Sequence, residues 1–223
     1  MKNSYNNKLN TPDILTKKEK VISLAVMRNF LHFGHYELVS QMLKYSDVVY
    51  IAFGSAQAKN DIRNPFTIRQ RIDLLKLAFG DTKKIKIISV ADINAVSKED
   101  WEKHVLKTIK TQGLQPPTDY FGGSEVDVSW YGNVISHTTE KAVGFETGDD
   151  YTIIKKYMKI HILDRYESNY MSGTDIRSSI ANNGEEWKKH VPRCMISYIE
   201  ENFPKHLILS NILKKKNIDG NTF

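Results

Sequence analysis

Two histidines flank a glycine in the segment His32-Phe-Gly-His35, which directly follows an early apolar run of the chain. We predict a helix from about Gly34, which places both imidazoles where free backbone N–H groups and the helix dipole favour phosphate. Gly34 leaves room for a phosphate to approach the backbone closely. The segment therefore predicts a phosphate site. A structural histidine pair and half of a metal site are the alternatives, but no carboxylate or third histidine stands at ligand spacing.

A second cluster, Ser172-Gly-Thr-Asp-Ile-Arg177, follows the last predicted strand. Ser172 and Asp175 have the spacing of a helix cap, which explains these two residues without any function. Capping does not explain Thr174 and Arg177 on the same first turn. A hydroxyl, backbone N–H groups and a guanidinium there form a second phosphate cradle, opposite the first.

These two clusters need a scaffold, and the hydrophobic pattern predicts one in which strands alternate with helices. The predicted strands cover residues 21–26, 48–53, 85–90, 120–121 and 159–163. The predicted helices cover residues 34–45, 66–79, 98–111, 174–182 and 191–202. This alternation is typical of an α/β, Rossmann-like fold with a doubly wound, mostly parallel sheet and helices on both faces. In such folds, ligands bind at the carboxyl ends of the strands, where both clusters begin.

Further motifs carry a resemblance to a known family. The second predicted strand leads into Gly54-Ser-Ala-Gln57, and Asn64-Pro-Phe-Thr67 precedes the next helix. With these motifs the chain resembles the nucleotidyltransferase superfamily defined by His-x-Gly-His and a late Ser/Thr-x-Ile-Arg signature. Within it, the chain is similar to the archaeal-type nicotinamide mononucleotide adenylyltransferases over about residues 21–202. The remaining matches are Arg63, Arg71, Val90-Ala-Asp92, Trp101, His104 and the segment 187–192.

The resemblance implies transfer of AMP from ATP to nicotinamide mononucleotide, and to some extent to nicotinate mononucleotide, giving a dinucleotide and pyrophosphate. It implies that the catalytic residues are His32, His35 and Arg177. The implied ATP and phosphate ligands are Arg28, Gly34, Arg63, Ser172, Thr174, Gly122 and Ser124. The implied mononucleotide ligands are Gly54, Ser55, Asp92 and Trp101. Mg²⁺ would be bound through ATP, with no metal site of the protein's own. For Trp101, an aromatic residue packed in the core is the alternative to a stacking surface.

The chain departs from the family pattern at two places. The family has Gly-Arg-Phe-Gln-Pro before its His-x-Gly-His, whereas this chain has Met27-Arg-Asn-Phe-Leu31, one residue shorter and without the glycine. Arg28 aligns with the family arginine, and whether the shorter segment lets it reach the phosphates is a question for the structure. The second departure is a loop-rich insertion at about 132–157, to which the sequence assigns no role.

Composition limits the remaining possibilities. The 223 residues carry a formal charge of +6 and a single cysteine, Cys194, which excludes an internal disulfide. We expect a flexible lead-in over 1–18, one nucleotidyltransferase domain over 19–204 and a basic tail over 205–223. Because the chain has no long apolar run and no apolar core of a secretory signal, we expect a cytoplasmic protein.

The charge allows an anionic partner without choosing its kind. We expect ATP and a mononucleotide, neither nucleic acid nor a membrane, and possible assembly into a homo-oligomer. Two alternatives stay open: a sister transferase with another phosphate-bearing acceptor, and a non-catalytic nucleotide-sensing or RNA-binding module on the same fold. An RNA-binding module would show affinity that falls steeply with salt.

Overall fold

Six strands form one sheet in the computed structural model, which describes residues 20–29, 31–94, 98–123, 141–145, 156–163 and 171–208. The strands are β1 (Ile22–Met27), β2 (Val48–Phe53), β3 (Ile85–Ser89), β4 (Asp119–Gly122), β5 (Lys141–Phe145) and β6 (Lys156–Ile162). Their order in the sheet is β3-β2-β1-β4-β6-β5. Neighbouring strands run parallel, except that β5 is antiparallel to β6. The predicted doubly wound, mostly parallel sheet is confirmed.

Helices cover both faces of this sheet. They are α1 (Phe33–Tyr45), α2 (Ile68–Phe79), α3 (Lys98–Thr111), α4 (Gly173–Ala181) and α5 (Arg193–Asn202), with a 3-10 helix at Glu186–His190. Alternate residues of the strands point to opposite faces. Leu24 belongs to the cluster that contains Val105 of α3, whereas Ala25 belongs to the cluster of α1, α2, α4 and α5. Burial on both faces explains why the central strands are continuous apolar runs.

Local sequence sets the helix boundaries. The Thr67-Ile-Arg-Gln70 spacing, which is that of a capping box, forms one at the start of α2. The Gln70 amide N–H donates to Thr67 Oγ1 at 3.3 Å, and the Thr67 amide N–H donates to Gln70 Oε1 at 2.9 Å. Helix α1 begins after His32, whose backbone is extended. Helix α5 begins at Arg193, two residues later than predicted, and Pro192 is its N-cap.

The sequence missed two elements. Strand β5 lies inside the stretch predicted as a loop-rich insertion, and it pairs with β6, which starts earlier than predicted. A five-residue segment that contains Lys141 and Gly144 has little strand propensity of its own, so its pairing with β6 decides its conformation. The 3-10 helix was also not predicted. The lead-in over 1–18, the rest of the insertion and the tail beyond residue 208 lie outside the described residues.

The carboxyl ends of β1, β2, β3 and β4 lie at one edge of the sheet, because these strands are parallel. From β1 the chain winds to β2 and β3 on one side, while β4 lies on the other. The switch in winding direction opens a crevice at this edge, which is where doubly wound sheets bind ligands. None of the described helices combines the length and the apolar character that a bilayer crossing requires.

Candidate active site

His32 and His35 lie at the N-terminus of α1, in the crevice beyond β1. The His32 carbonyl accepts the amide N–H groups of His35 and Tyr36, at 3.0 and 3.1 Å, which begins the helix. The two imidazoles are stacked, with ring centroids 3.8 Å apart. The Leu31 amide N–H donates to His35 Nδ1 at 3.3 Å, so a neutral His35 carries its proton on Nε2. His35 therefore has Nε2–H as a hydrogen-bond donor for an anion.

The late motif forms the first turn of α4. Ser172 is the N-cap, and its Oγ accepts the Asp175 amide N–H at 3.2 Å and donates to Asp175 Oδ2 at 2.6 Å. The capping interpretation of this pair is therefore confirmed. Arg177 Nη2 donates to Thr174 Oγ1 at 3.1 Å, so the two residues that capping did not explain contact each other.

The two motifs meet at Gly173, although they come from opposite ends of the chain. A Cβ atom placed on Gly173 would lie 3.2 Å from Arg177 Nη1 and 3.5 Å from His32 Cδ2. The glycine thus lies between the imidazole and the guanidinium and leaves both side chains in place. The structure brings together the residues that the sequence singled out in the two motifs.

Three arginines gather around this point. Arg177 Nε donates to the Ile62 carbonyl at 2.8 Å, directly beside Arg63. Burial lowers the pKa of the Arg177 guanidinium, and the positive charges of Arg28 and Arg63 lower it further, against the opposing effects of Asp61 and Asp175. Positive charges that repel one another in this way form a site for an anion of high charge, such as a polyphosphate.

The shortened segment before His32 still reaches this cluster. Asn29, which is only 3% exposed, donates from Nδ2 to the Arg63 carbonyl at 3.1 Å. Asp61 Oδ1 accepts the amide N–H groups of Arg63 and Asn64, at 2.8 and 2.7 Å, and shapes the same loop. The sequence did not identify Asn29, because nothing in its local pattern shows a partner 34 residues away.

A second group of predicted residues converges beyond β2 and β3. Ser55 Oγ donates to Asp92 Oδ1 at 2.9 Å. Gln57 Nε2 donates to Asp92 Oδ2 at 2.8 Å and Gln57 Oε1 accepts the Asp92 amide N–H at 3.0 Å. Ser55 has a left-handed backbone with φ of 51°, which non-glycine residues adopt at a cost of about 1 kcal/mol. Gln57, the last residue of the Gly54-Ser-Ala-Gln57 motif, thus orients Asp92.

Trp101 borders the same group. A Cβ atom on Gly54 would lie 3.5 Å from Trp101 Cζ2, and the indole is half-buried. The indole packs against the apolar cluster under α3, as a core residue does. It also remains partly open to solvent, which leaves part of its surface free for stacking. His104 is not simply solvated: its Nε2 lies 3.0 Å from the carbonyl oxygen of Ala91, next to Asp92.

The remaining predicted residues lie at or beyond the end of β4. Gly122 is buried, and its carbonyl accepts the Leu163 amide N–H at 2.9 Å, which ties β4 to the end of β6. Ser124 lies outside the described residues. Within the described part of the chain, no group of three or more histidine, cysteine or acidic side chains has the arrangement of a metal site.

Comparison with known proteins places this geometry in context. The model of the cytidylyltransferase-like family matches residues 29–179. A nicotinamide-nucleotide adenylyltransferase of Archaeoglobus fulgidus is 29% identical over 199 residues, covering 86% of this chain and 93% of that protein. An enzyme of the same name from Methanolobus tindarius is 28% identical over 177 residues, covering 76% of this chain and 82% of that protein.

A solved structure shares the fold. It is a bifunctional NMN adenylyltransferase/ADP ribose pyrophosphatase from Francisella tularensis, complexed with AMP and a manganese ion. The TM-score is 0.61 at 18% identity, and the match covers 92% of this chain. The chain spans 57% of that longer protein, so the likeness concerns the fold of one part of it.

Proposed function

The chain belongs to the cytidylyltransferase-like family, and from this premise we propose that it is a nicotinamide-nucleotide adenylyltransferase. The reaction joins nicotinamide mononucleotide to the AMP moiety of ATP and releases pyrophosphate. The observation that carries the proposal is the meeting of His32 and Arg177 at Gly173, inside the cluster of arginines. Such a pocket suits a triphosphate, and the archaeal relatives of this name support the choice of acceptor.

The chemistry requires little beyond position and charge. The 5′-phosphate of the mononucleotide is already an anion and attacks the α-phosphorus of ATP in line, so neither a general base nor a covalent intermediate is needed. We assign His32 and His35 to the α- and β-phosphates, where their N–H groups stabilise the transition state. We assign Arg177, Thr174 and Ser172 to the β- and γ-phosphates of the leaving group.

The other basic residues strengthen the same field. Arg28 and Arg63 add positive charge beside Arg177, and Gly34 lets the phosphate approach the first turn of α1. The nucleotide substrate is MgATP, whose metal ion is held mainly by the phosphates and water. Gly122 and Ser124 are assigned to the adenine side. A cytoplasmic location stays a prediction.

The acceptor is assigned to the second group of residues. Trp101 offers the exposed part of its indole as a stacking surface for the pyridine ring. The Ser55 hydroxyl and the Gln57 amide hold Asp92 in place as a polar anchor for the ribose or amide. Gly54, with no side chain between β2 and the indole, presents its backbone to the mononucleotide.

The test is pyrophosphate release from MgATP, measured with nicotinamide mononucleotide and with nicotinate mononucleotide in turn. We expect release with the first and some release with the second, with one dinucleotide formed for each pyrophosphate. Phosphopantetheine and glycerol phosphate serve as controls for a sister transferase. Release only with a control acceptor would replace the assigned acceptor, and no release with any acceptor would overturn the function.

A further inference from the structure

Arg71 lies in the first turn of α2 and is completely buried, with an exposed fraction of 0%. A charged side chain is rarely enclosed in this way unless its hydrogen-bonding groups are satisfied. Within the described part of the chain, every acceptor of its guanidinium is a main-chain carbonyl, and none is a carboxylate. Among the described residues, Arg71 therefore binds loop backbone and forms no ion pair.

The acceptors belong to separate loops at the carboxyl edge of the sheet. Nη1 donates to the carbonyl of Arg28, after β1, at 3.1 Å. It also donates to the carbonyls of Gly54 and Ser55, after β2, at 3.0 and 3.2 Å. Nη2 donates to the Ala58 carbonyl at 2.6 Å and Nε to the Phe66 carbonyl at 2.9 Å.

One rigid group thus connects the two halves of the site. Arg28 stands on the side assigned to ATP, whereas Gly54 and Ser55 stand on the side assigned to the mononucleotide. The guanidinium is planar and holds five N–H donors in a fixed arrangement, so it sets the distance between the two loops. A lysine at this position has one nitrogen and cannot reach all the acceptors that Nε, Nη1 and Nη2 bind in different directions.

The cost of burying this cation argues for a specific role. Burial lowers the pKa of the Arg71 guanidinium, and the positive charge of Arg28 lowers it further. An apolar residue would fill the same space without this penalty. The loops that Arg71 binds also include Ser55, whose left-handed backbone needs support from its surroundings.

We propose that Arg71 is a positioning residue for adenylyl transfer, which holds the loop of Arg28 and the loop of Gly54 and Ser55 at the separation that in-line attack requires. The inference rests on the proposed function. Arg71 touches neither substrate in this role and acts through the backbone of the residues that do. It therefore affects the geometry between two bound substrates more than the binding of either one.

The test compares Arg71→Lys and Arg71→Ala with Arg69→Ala, a matched control on the exposed side of the same helix. Circular dichroism and thermal unfolding establish that each variant is folded at the assay temperature. We expect kcat to fall about a hundredfold in both Arg71 variants, with smaller changes in KM for each substrate, because a shift of about 1 Å between reactants has that effect. Arg69→Ala should keep the wild-type kcat.

Guanidinium ions at non-denaturing concentration supply a second readout. They should restore kcat to Arg71→Ala, whose cavity is lined by five carbonyls, and ammonium at the same concentration should not. A wild-type kcat in folded Arg71→Lys would overturn the proposal. So would failure of both variants to fold, which would assign Arg71 to stability alone, or a kcat loss that guanidinium leaves unchanged. Failure of the proposed function is distinguishable, since it would show as no pyrophosphate release by the wild-type protein.

Discussion

At the scale of single residues, the candidate site concentrates the positive charges of Arg28, Arg63 and Arg177, which Asp61 and Asp175 oppose. Arg28 and Arg63 lower the pKa of Arg177 because like charges oppose its protonated state. Folding holds these groups together despite their repulsion, and the polyphosphate that we propose as ligand would reduce this repulsion. The histidines add directed N–H donors, since His35 has its Nδ1 occupied by the Leu31 amide.

The assigned phosphate contacts predict the effect of removing single donors. We expect His35→Ala and Arg177→Ala each to lower kcat about a hundredfold or more, because removing one preorganised donor costs about 3 kcal/mol of transition-state stabilisation. Steady-state pyrophosphate release measures the loss, and thermal unfolding verifies the fold. Arg193→Ala, which removes an exposed charge from α5, is the control and should keep its activity. A folded His35→Ala variant with wild-type turnover would refute the assignment.

The indole of Trp101 predicts a different change, in binding. Trp101→Ala should raise KM for the mononucleotide about tenfold or more and leave KM for ATP nearly unchanged, since stacking on an aromatic side chain contributes about 1–3 kcal/mol per base. Trp101→Phe keeps an aromatic face, so its KM for the mononucleotide should lie between those of the wild-type protein and Trp101→Ala. Equal increases in both KM values would instead show that the indole supports the whole crevice through its packing beside Gly54.

At the scale of elements, the site depends on where helices begin. His32 and Ser172 are the N-caps of α1 and α4, so the first N–H groups and the dipoles of these helices point into the crevice. Thr67 is the N-cap of α2, whose first turn positions Arg71. Its capping box also extends to α5, because Gln70 Nε2 donates to Asn202 Oδ1 at 3.1 Å.

Removing the cap of α2 tests its contribution. Thr67→Ala should lower the free energy of unfolding by about 1 kcal/mol, because the Gln70 amide loses its acceptor. Urea unfolding followed by circular dichroism measures the difference. Ser178→Ala, on the exposed surface of α4, is the control and should change stability little. A loss of the same size in both variants would mean that the cap adds nothing beyond an ordinary surface hydroxyl.

At the scale of the whole molecule, a polar cluster joins β4, β6 and α1 near the amino end of β4, away from the carboxyl ends of the strands where the candidate site lies. Asp119 accepts hydrogen bonds from His161 at 2.8 Å, Tyr45 at 3.1 Å and Thr118 at 2.6 Å. Burial by itself would raise the pKa of the Asp119 carboxyl, but these hydrogen bonds and the His161 charge hold it below its usual value. The ionised carboxylate therefore stabilises the fold, far from the candidate site.

The lowered pKa sets the pH range of this stabilisation. Because folding favours the ionised form, the contribution is complete above the pKa of about 3.9 that aspartate has in unfolded chains, and it is lost as the pH falls below that value. We expect Asp119→Asn to cost about 3 kcal/mol at pH 7, and we expect this cost to decrease progressively as the pH falls below about 3.9. Unfolding in urea across this range measures both. Asp81→Asn, with a side chain 90% exposed, is the control, and its effect on the free energy of unfolding should not depend on pH in this way.

Features of this protein that depend on neighbouring residues follow from its sequence, whereas those that depend on distant contacts do not. The alternation of strands and helices, the α2 cap and the two phosphate motifs could be predicted because each depends on residues close together in the chain. Strand β5 could not, since its conformation depends on pairing with β6. The roles of Asn29 and Arg71 were also invisible, because their partners lie far along the chain.

The sequence by itself determined which chemical groups this protein offers: two imidazoles beside a glycine, and a hydroxyl and a guanidinium on one helical turn. It also determined that these groups follow strands of a parallel sheet. Only the tertiary structure decided that they share one pocket, with Gly173 between His32 and Arg177. The reason is physical: Arg177 binds the Ile62 carbonyl across 115 residues, and no local pattern encodes a contact that exists only after the sheet has assembled.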